Sequence, residues 1–340
     1  MGQSDRCPSP IAYDPSPITY PHREEKNMQK PKILFMGTPE FAVPSLEALV
    51  GSGYPLVAAV TQPDRPKGRG RKAEPPPVKI AAERLGVPVL QPPRVRDPGF
   101  LDDFAQLSPD MVALVAFGQI LPKEIIERPP LGCLNVHPSL LPKYRGAAPI
   151  NWTLIKGEAR TGVTIIRMSE QVDAGDILLQ EEIGIGQDET AGELHDRLAV
   201  LGSRLLVRAV GDVVRGTVTA SRQDDSRATL APKLAREDGR IRWEADFREI
   251  VNLVRGLSPS PAAWTVLDGR VLKVFRAAGS AVAPGEFRPG EVAGAGGEGL
   301  KVAAKNGIVI LKEVQLEGKK RMPASEFLRG YRIGPGTVLE

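Results

Sequence analysis

From residue 31 onward the chain alternates short apolar runs with segments of helical periodicity. KILFMG at 32–37 precedes apolar positions spaced for a helix over 44–50, then come LVAAVTQ at 56–62, a helix over 78–85 and VPVLQP at 87–92. This order reads as βαβαβ. It continues with a helix over 101–107, MVALVAF at 111–117, a short helix at 122–127 and CLNVH at 133–137. Runs this continuously apolar fit a mostly parallel sheet covered on both faces, whose ligands lie beyond the carboxyl ends of the strands. A helix from about Pro149, strands GVTIIRM at 162–168 and DILLQEEIGI at 176–185, and a long amphipathic helix over 190–214 complete this part. Thr190 and Glu193 have the spacing of a capping box.

Residues 216–234 lose periodicity and read as a linker. Beyond them the pattern changes to short strands with frequent glycine: GRIRW at 239–243, AAWTVL at 262–267, RVLKVFRA at 270–277, GEVAGA at 290–295 and LKVAAKNGIVILKEV at 300–314. Asn306-Gly307 stands where a hairpin turn is expected. The expected fold is therefore α/β: a Rossmann-like, mostly parallel sheet domain at 31–215, a linker, then a small OB-like β-barrel at 235–335. Residues 1–30 are proline-rich and aperiodic, with Met28 just before the first strand-like run. They read as a disordered leader or an upstream start.

Composition narrows the setting. The 45 Lys and Arg against 41 Asp and Glu give a formal +4, too mild to announce a nucleic-acid partner by itself. Two cysteines, Cys7 and Cys133, build neither a disulfide framework nor a CxxC metal site, which fits the cytoplasm. The three histidines, His22, His137 and His195, are too scattered to predict a metal. No apolar run nears the roughly 18 residues that span a bilayer, and the leader lacks a signal-peptide core, so no membrane association is expected.

The candidate chemistry centres on His137. In an extended strand Asn135 and His137 project from one face roughly 6 to 7 Å apart, and Pro138 forces the chain out of the sheet directly afterwards. These side chains either satisfy strand-end backbone groups or converge on a ligand. The turn SLLPKYRGAAP keeps leucines in a loop, as a pocket wall would, and VDAGD places Asp173 and Asp176 around a glycine turn where a carboxylate could reach the histidine. Asp176, opening a strand, reads as a turn cap. Cys133 reads as a buried structural thiol, and Arg145 meets either an anionic part of a substrate or a carboxylate of the protein. Gly37-Thr38-Pro39 lacks GxGxxG spacing and argues against a conventional dinucleotide site. Arg65, Lys67, Arg69, Arg71 and Lys72 surround a single Asp64 on the edge that carries His137, and GKKR at 318–321 supplies Lys319, Lys320 and Arg321. Residues 234–340 hold 17 Lys and Arg against 13 Asp and Glu. Such a basic loop is either a solvated face or a phosphate-binding arm.

MGTPEF at 36–41, VAFGQILP at 115–122, NVHPSLLPKYRGAAPI at 135–150, TGVTIIRM at 161–168 and VDAGDI at 172–177 together resemble the folate-dependent formyltransferase family. The resemblance spans about residues 31–335. It implies catalytic roles for Asn135, His137 and Asp173, and a site for the formyl donor, 10-formyltetrahydrofolate, at Ser139, Leu140, Leu141 and Pro142 with Phe117, Gly118 and Ile120. Pro138 stands where glycine can occur in the family, which implies an altered loop shape with the same chemistry. QPDRPKGRGRK at 62–72 and the barrel resemble the branch whose acceptor is initiator methionyl-tRNA. In that case the basic residues contact tRNA and the protein acts as a monomer. Formyl transfer to an amine passes through an adduct whose carbonyl oxygen becomes anionic. The Asn135 amide and a protonated His137 would donate hydrogen bonds to it, while Asp173 orients His137 and moves the proton. The amine is already a nucleophile, so no Ser or Cys is needed. A relative acting on a sugar-nucleotide or other small amine, and a non-enzymatic RNA-binding protein, are the competing readings.

Overall fold

The structure is a computed structural model, and it describes residues 30–67, 72–281, 287–334 and 336–340. The expected leader, together with Arg69 and Arg71, lies outside the described residues. The side chains of Lys67 and Lys72 do so as well.

The first half is built on a seven-stranded sheet. Its elements are β1 (Ile33–Gly37), α1 (Val43–Gly51), β2 (Leu56–Val60), the short pair β3 (Arg65–Lys67) and β4 (Lys72–Glu74), α2 (Pro77–Arg84), β5 (Val89–Leu90), α3 (Pro98–Leu107), β6 (Met111–Val115), α4 (Lys123–Glu127), β7 (Cys133–His137), α5 (Pro149–Ile155), β8 (Arg160–Arg167), β9 (Asp176–Gly184) and α6 (Ala191–Val214). The order β5-β2-β1-β6-β7-β8-β9 is parallel through β7 and antiparallel at β8 and β9. Both faces are covered, which explains the continuous apolar runs: Leu134 and Val136 join the core under α1 and α6, while Cys133 joins the opposite layer with Val112, Leu114 and Phe117. Helix α6 starts at the expected capping box, with Thr190 and Glu193 satisfying one another's backbone groups. It lies so close to the sheet that a Cβ on Gly202 would stand 2.8 Å from Val136 Cγ1.

The second half holds α7 (Phe247–Leu257), β10 (Ala263–Leu267), β11 (Arg270–Ala281), β12 (Val292–Gly296), β13 (Gly299–Ala304), β14 (Gly307–Leu316), β15 (Met322–Pro323) and α8 (Ala324–Gly330). Its antiparallel order is β10-β11-β14-β13-β12, with β15 beside β14. The last residues close the gap between the edge strands: Glu340 exchanges backbone hydrogen bonds with Val266 of β10, while Thr337 accepts from Val292 and Leu339 donates to Gly290 beside β12. A barrel results, as expected. Helix α7 packs across α5, where Asn151 donates to the Gly256 carbonyl at 2.7 Å and a Cβ on Gly256 would meet Ile155 at 2.7 Å.

Two local expectations are corrected. GRIRW is not a strand, since residues 236–239 form a 3-10 turn and Arg240 makes only an isolated bridge to Trp264. The hairpin turns at Lys305-Asn306, because Gly307 pairs with Ala304 inside the ladder. Gly307 serves packing: a Cβ there would stand 2.6 Å from the Phe247 ring. The aperiodic residues 217–234, between the two halves, run as a strap along the first sheet, with Ile177 and Ser221 exchanging both backbone hydrogen bonds and Arg145 bridging Leu230.

Candidate active site

Three motifs meet at the carboxyl edge of the sheet. Thr38, after β1, and Gln62, after β2, both donate to the Phe117 carbonyl after β6, at 2.9 and 3.3 Å. Asn135 on β7 lies in register with Leu114 of β6. Gln62 in turn accepts from Arg65 at 3.0 Å, and Asp64 is held by Lys79 and Gln91. The root of the basic loop is thus tied to the same edge as His137.

Asn135, His137 and Asp173 converge as expected. The Asn135 amide donates to Asp173 Oδ1 at 3.4 Å, and Asp173 Oδ2 lies 3.6 Å from His137 Nδ1. On the other side of the ring, His137 Nε2 is 3.0 Å from the Tyr144 carbonyl. A carbonyl only accepts, so Nε2 carries the proton and Nδ1 of the neutral ring presents its lone pair toward Asp173. The Gly146 amide fixes the carboxylate by donating to Oδ2 at 2.9 Å. Tyr144 (φ 62°), Asp173 (φ 52°) and Ala116 (φ 47°) all hold left-handed backbone without being glycine. Strain of this kind collects where surrounding structure enforces a functional geometry.

His137 is buried, and burial lowers its pKa, with the Asp173 charge and the Tyr144 hydrogen bond opposing. The resting ring is therefore neutral near pH 7. A neutral resting ring differs from the protonated donor that the resemblance implies, and leaves Nδ1 able to take up a proton. A stability effect follows. The unfolded chain takes up a proton on His137 near pH 6.5 and the folded chain only at lower pH. Within that window the unfolded state binds more protons, so stability is lost as pH falls below about 6.5. Urea midpoints measured from pH 7.5 to 5.5 should fall less steeply for His137→Gln than for the native chain; parallel declines would show that His137 does not drive the loss.

The residues expected to hold the folate divide. Leu141 is pinned at its amide by Thr164 Oγ1 and at its carbonyl by Gln180, and Ser139 Oγ donates to the Lys143 carbonyl, so these three polar contacts build the turn itself. Leu140 packs on Gly162 of β8, and the Leu141-Pro142 peptide is cis. The Phe117 ring is buried in the core, which leaves the backbone of Phe117 and Gly118 and the exposed Ile120, 67 % accessible, at the edge. A Cβ on Gly118 would meet nothing within 4 Å, so this side is open to a flat ring system. Asp176 is exposed at the head of β9 and takes no part. Cys133 is buried with its thiol pKa pushed up by that burial, and its Sγ contacts Met168 Sδ at 3.4 Å, as a structural thiol does. Arg145 meets protein groups, donating to Gln223 at 3.0 and 2.7 Å and to Asp225 at 2.8 Å. Sequence reasoning missed the carbonyl of Tyr144, the amide of Gly146 and the side chain of Gln223.

Among the expected tRNA contacts, Arg65, Lys319 and Lys320 are exposed. Arg321 makes a bidentate pair with Glu313 at 2.7 Å and lies over the Phe275 ring. With Arg276, Glu40 and His195 it also lines a cleft of about 570 Å³. Among the described residues no group of His, Cys, Asp and Glu could hold a metal, and no helix is long and apolar enough to cross a membrane.

A profile for formyl transferases matches residues 31–210, and one for the formyl transferase C-terminal domain matches residues 233–332. The chain belongs to the formyl transferase family. The methionyl-tRNA formyltransferase of Syntrophus aciditrophicus is 57% identical over 313 residues, covering 92% of this chain and all of that protein. That of Geotalea daltonii is 49% identical, over 91% of this chain and 98% of its own length. Among solved structures, HypX from Aquifex aeolicus in complex with tetrahydrofolic acid superimposes with a TM-score of 0.61 at 18% identity, over 88% of this chain and 47% of that one. WlaRD, a sugar 3N-formyl transferase, gives a TM-score of 0.61 at 17% identity, over 86% of this chain and all of the other. At such identities these two structures establish a shared fold with this formyltransferase.

Proposed function

We propose that this formyltransferase moves the formyl group of 10-formyltetrahydrofolate to the α-amine of methionine on initiator methionyl-tRNA. The observation that carries this reading is the meeting of Asn135, His137 and Asp173 at the sheet edge, in a chain that aligns with methionyl-tRNA formyltransferases from end to end of their lengths. The amine nitrogen attacks the formyl carbon, and the carbonyl oxygen takes up negative charge. The Asn135 amide has a second N–H for that oxygen, an interaction worth about 2.7 to 4 kcal/mol of barrier. His137 accepts the amine proton on Nδ1. The imidazolium is then held between the Tyr144 carbonyl and Asp173, and the same proton leaves with N10 as the carbon–N10 bond breaks. Formyl-methionyl-tRNA and tetrahydrofolate result. The open face beside Gly118 and Ile120 suits the folate ring.

One chain supplies all three catalytic side chains, so we read the working unit as a monomer, acting in the cytoplasm where charged tRNA is found. The test is to supply labelled 10-formyltetrahydrofolate with methionyl-tRNA, uncharged tRNA or a panel of small amines, including amino-sugar nucleotides. Label should appear on methionyl-tRNA; label only on small amines would overturn the reading in favour of the small-amine branch, and no transfer at all would favour a binding protein.

Exposed cations on both domains bear on the acceptor. Arg65 at the root of the basic loop, with Lys319 and Lys320 beyond β14, would meet phosphates of the tRNA. The triple alanine variant should bind tRNA more weakly, and its log–log dependence of affinity on salt should flatten by about 0.7 to 0.9 for each phosphate that the protein no longer neutralises. Identical salt slopes would mark these residues as a solvated face.

A further inference from the structure

The strap at 217–234 separates the two halves in sequence, yet its middle is wedged against both loops that carry the catalytic geometry. Gln223 is buried, 6 % accessible. Its amide donates two hydrogen bonds, to the carbonyls of Asp173 at 2.8 Å and Gly175 at 2.7 Å. Its oxygen accepts two from Arg145, at 3.0 and 2.7 Å, and Arg145 is steadied from outside by Asp225. Farther along, the strap grips the other loop. Thr229 Oγ1 accepts from the Tyr144 amide at 2.9 Å, the Thr229 carbonyl accepts from Arg145 at 2.9 Å, and the amide of Ala231 donates to the Arg145 carbonyl at 2.7 Å. Gly146 runs so tightly along it, at φ 124°, that a Cβ there would stand 2.6 Å from the Ala231 carbonyl. One loop supplies the Tyr144 carbonyl to His137 and the Gly146 amide to Asp173. The other supplies Asp173 itself.

We propose that Gln223 is a positioning residue for formyl transfer: its amide locks the left-handed Asp173 turn and its oxygen locks Arg145, setting the carboxylate against His137 Nδ1. The chemical form of Gln223 is what the task demands. A group bridging two carbonyls on one side and a guanidinium on the other must donate twice and accept twice at opposite ends, which a primary amide does and a carboxylate, hydroxyl or thioether does not. Arg145 is thereby a structural member of the brace, which resolves its two sequence readings in favour of protein groups. Asp173 needs the brace because φ 52° is an unfavourable conformation for an aspartate. Left to itself the turn would relax and carry the carboxylate away from the ring. The strap thus has a second task besides joining two domains: residues 221–231 form part of the wall that holds the catalytic groups in register.

This inference rests on the reading that Asp173 serves the transfer. The experiment therefore compares full-length Gln223→Met, Asp173→Asn and the double variant in single-turnover transfer to methionyl-tRNA at saturating substrates, together with KM for both substrates. Methionine has the length of glutamine without its donors. Gln223→Met should lower the rate about 30-fold with each KM within twofold of the native value, and should cost less than twofold in the Asp173→Asn background, since a brace has nothing left to position there. Faster hydrogen exchange at the Gly146 amide, whose acceptor is Asp173, should accompany it and is read without turnover. An undiminished native rate in Gln223→Met, or an equal 30-fold loss with and without the Asp173 carboxylate, would overturn the positioning role. A native rate in Asp173→Asn would instead overturn the reading of the site. Should Gln223→Met fold poorly, Gln223→Glu, which keeps the shape and replaces two donors with charge facing two carbonyls, should show the same coupling to Asp173.

Discussion

Replacing Asn135 or His137 with alanine is expected to lower single-turnover formyl transfer by about 10² or more, with folate affinity little changed. In the proposed transfer the two losses arise differently. Without Asn135 the sheet edge loses its amide donor for the formyl oxygen, an interaction that strengthens only as charge develops there. Without His137 the proton released by the attacking amine has no acceptor between it and N10. The Tyr144 carbonyl, 3.0 Å from Nε2, would also face an empty space. Because Asn135 and His137 share Asp173 as partner, at 3.4 and 3.6 Å, their effects should not add: the double variant should be far less impaired than the product of the singles. Rapid-quench transfer at saturating substrate, set beside folate titration, separates these outcomes. Variants that lost folate affinity and kept their rate at saturation would assign these side chains to binding.

Much of this arrangement was legible in the chain. The period-two parity that places Asn135 and His137 on one face holds, as the partition of Leu134 and Val136 into one core layer and Cys133 into the other shows. The capping box at Thr190 was readable because it is local, three residues from donor to acceptor. What escaped was either non-local or hidden by composition. Helix α7 carries an N-cap at Asp246 and apolar residues at Phe247, Ile250, Val254 and Leu257, a clear helical spacing that the surrounding strand-like runs obscured. Gly307 looked like a turn residue and is a packing residue, since the ring it makes room for, Phe247, is sixty positions away in the chain. Gln223 gave no signal because a polar residue amid SRQDDSR reads as solvated, and its burial depends on carbonyls of a turn fifty residues earlier. The lowered pKa of His137 was equally invisible, since it follows from a burial that only the folded packing creates, against the opposing pull of Asp173 and the Tyr144 carbonyl.

The tightest packing near the catalytic turn yields the second large effect. Gly175 follows Asp173 by two residues, and a Cβ built on it would lie 1.9 Å from the Arg167 carbonyl oxygen and 3.2 Å from Met168 Cα. Both are backbone atoms of the strand end, and Met168 is itself fixed by the hydrogen bond its amide donates to the Cys133 carbonyl at 2.8 Å. Nothing flexible can yield, so in Gly175→Ala either β8 and β9 separate or the turn lifts. Relief by lifting the turn breaks the Gln223 bond to the Gly175 carbonyl and moves Asp173 off His137. The variant should therefore lose about 3 kcal/mol of stability, the upper end for forced overpacking, and at temperatures where it stays folded should transfer formyl at least about tenfold more slowly, as misplacement of a positioned group does. Gly51→Ala is the matched control: it has open space around the added methyl and ordinary helical backbone, and should be neutral or slightly stabilising. Urea unfolding and single-turnover transfer on both variants settle the matter. If Gly175→Ala unfolded at the native midpoint with a native rate, the close approach of this turn to β8 would not be what holds Asp173 in place.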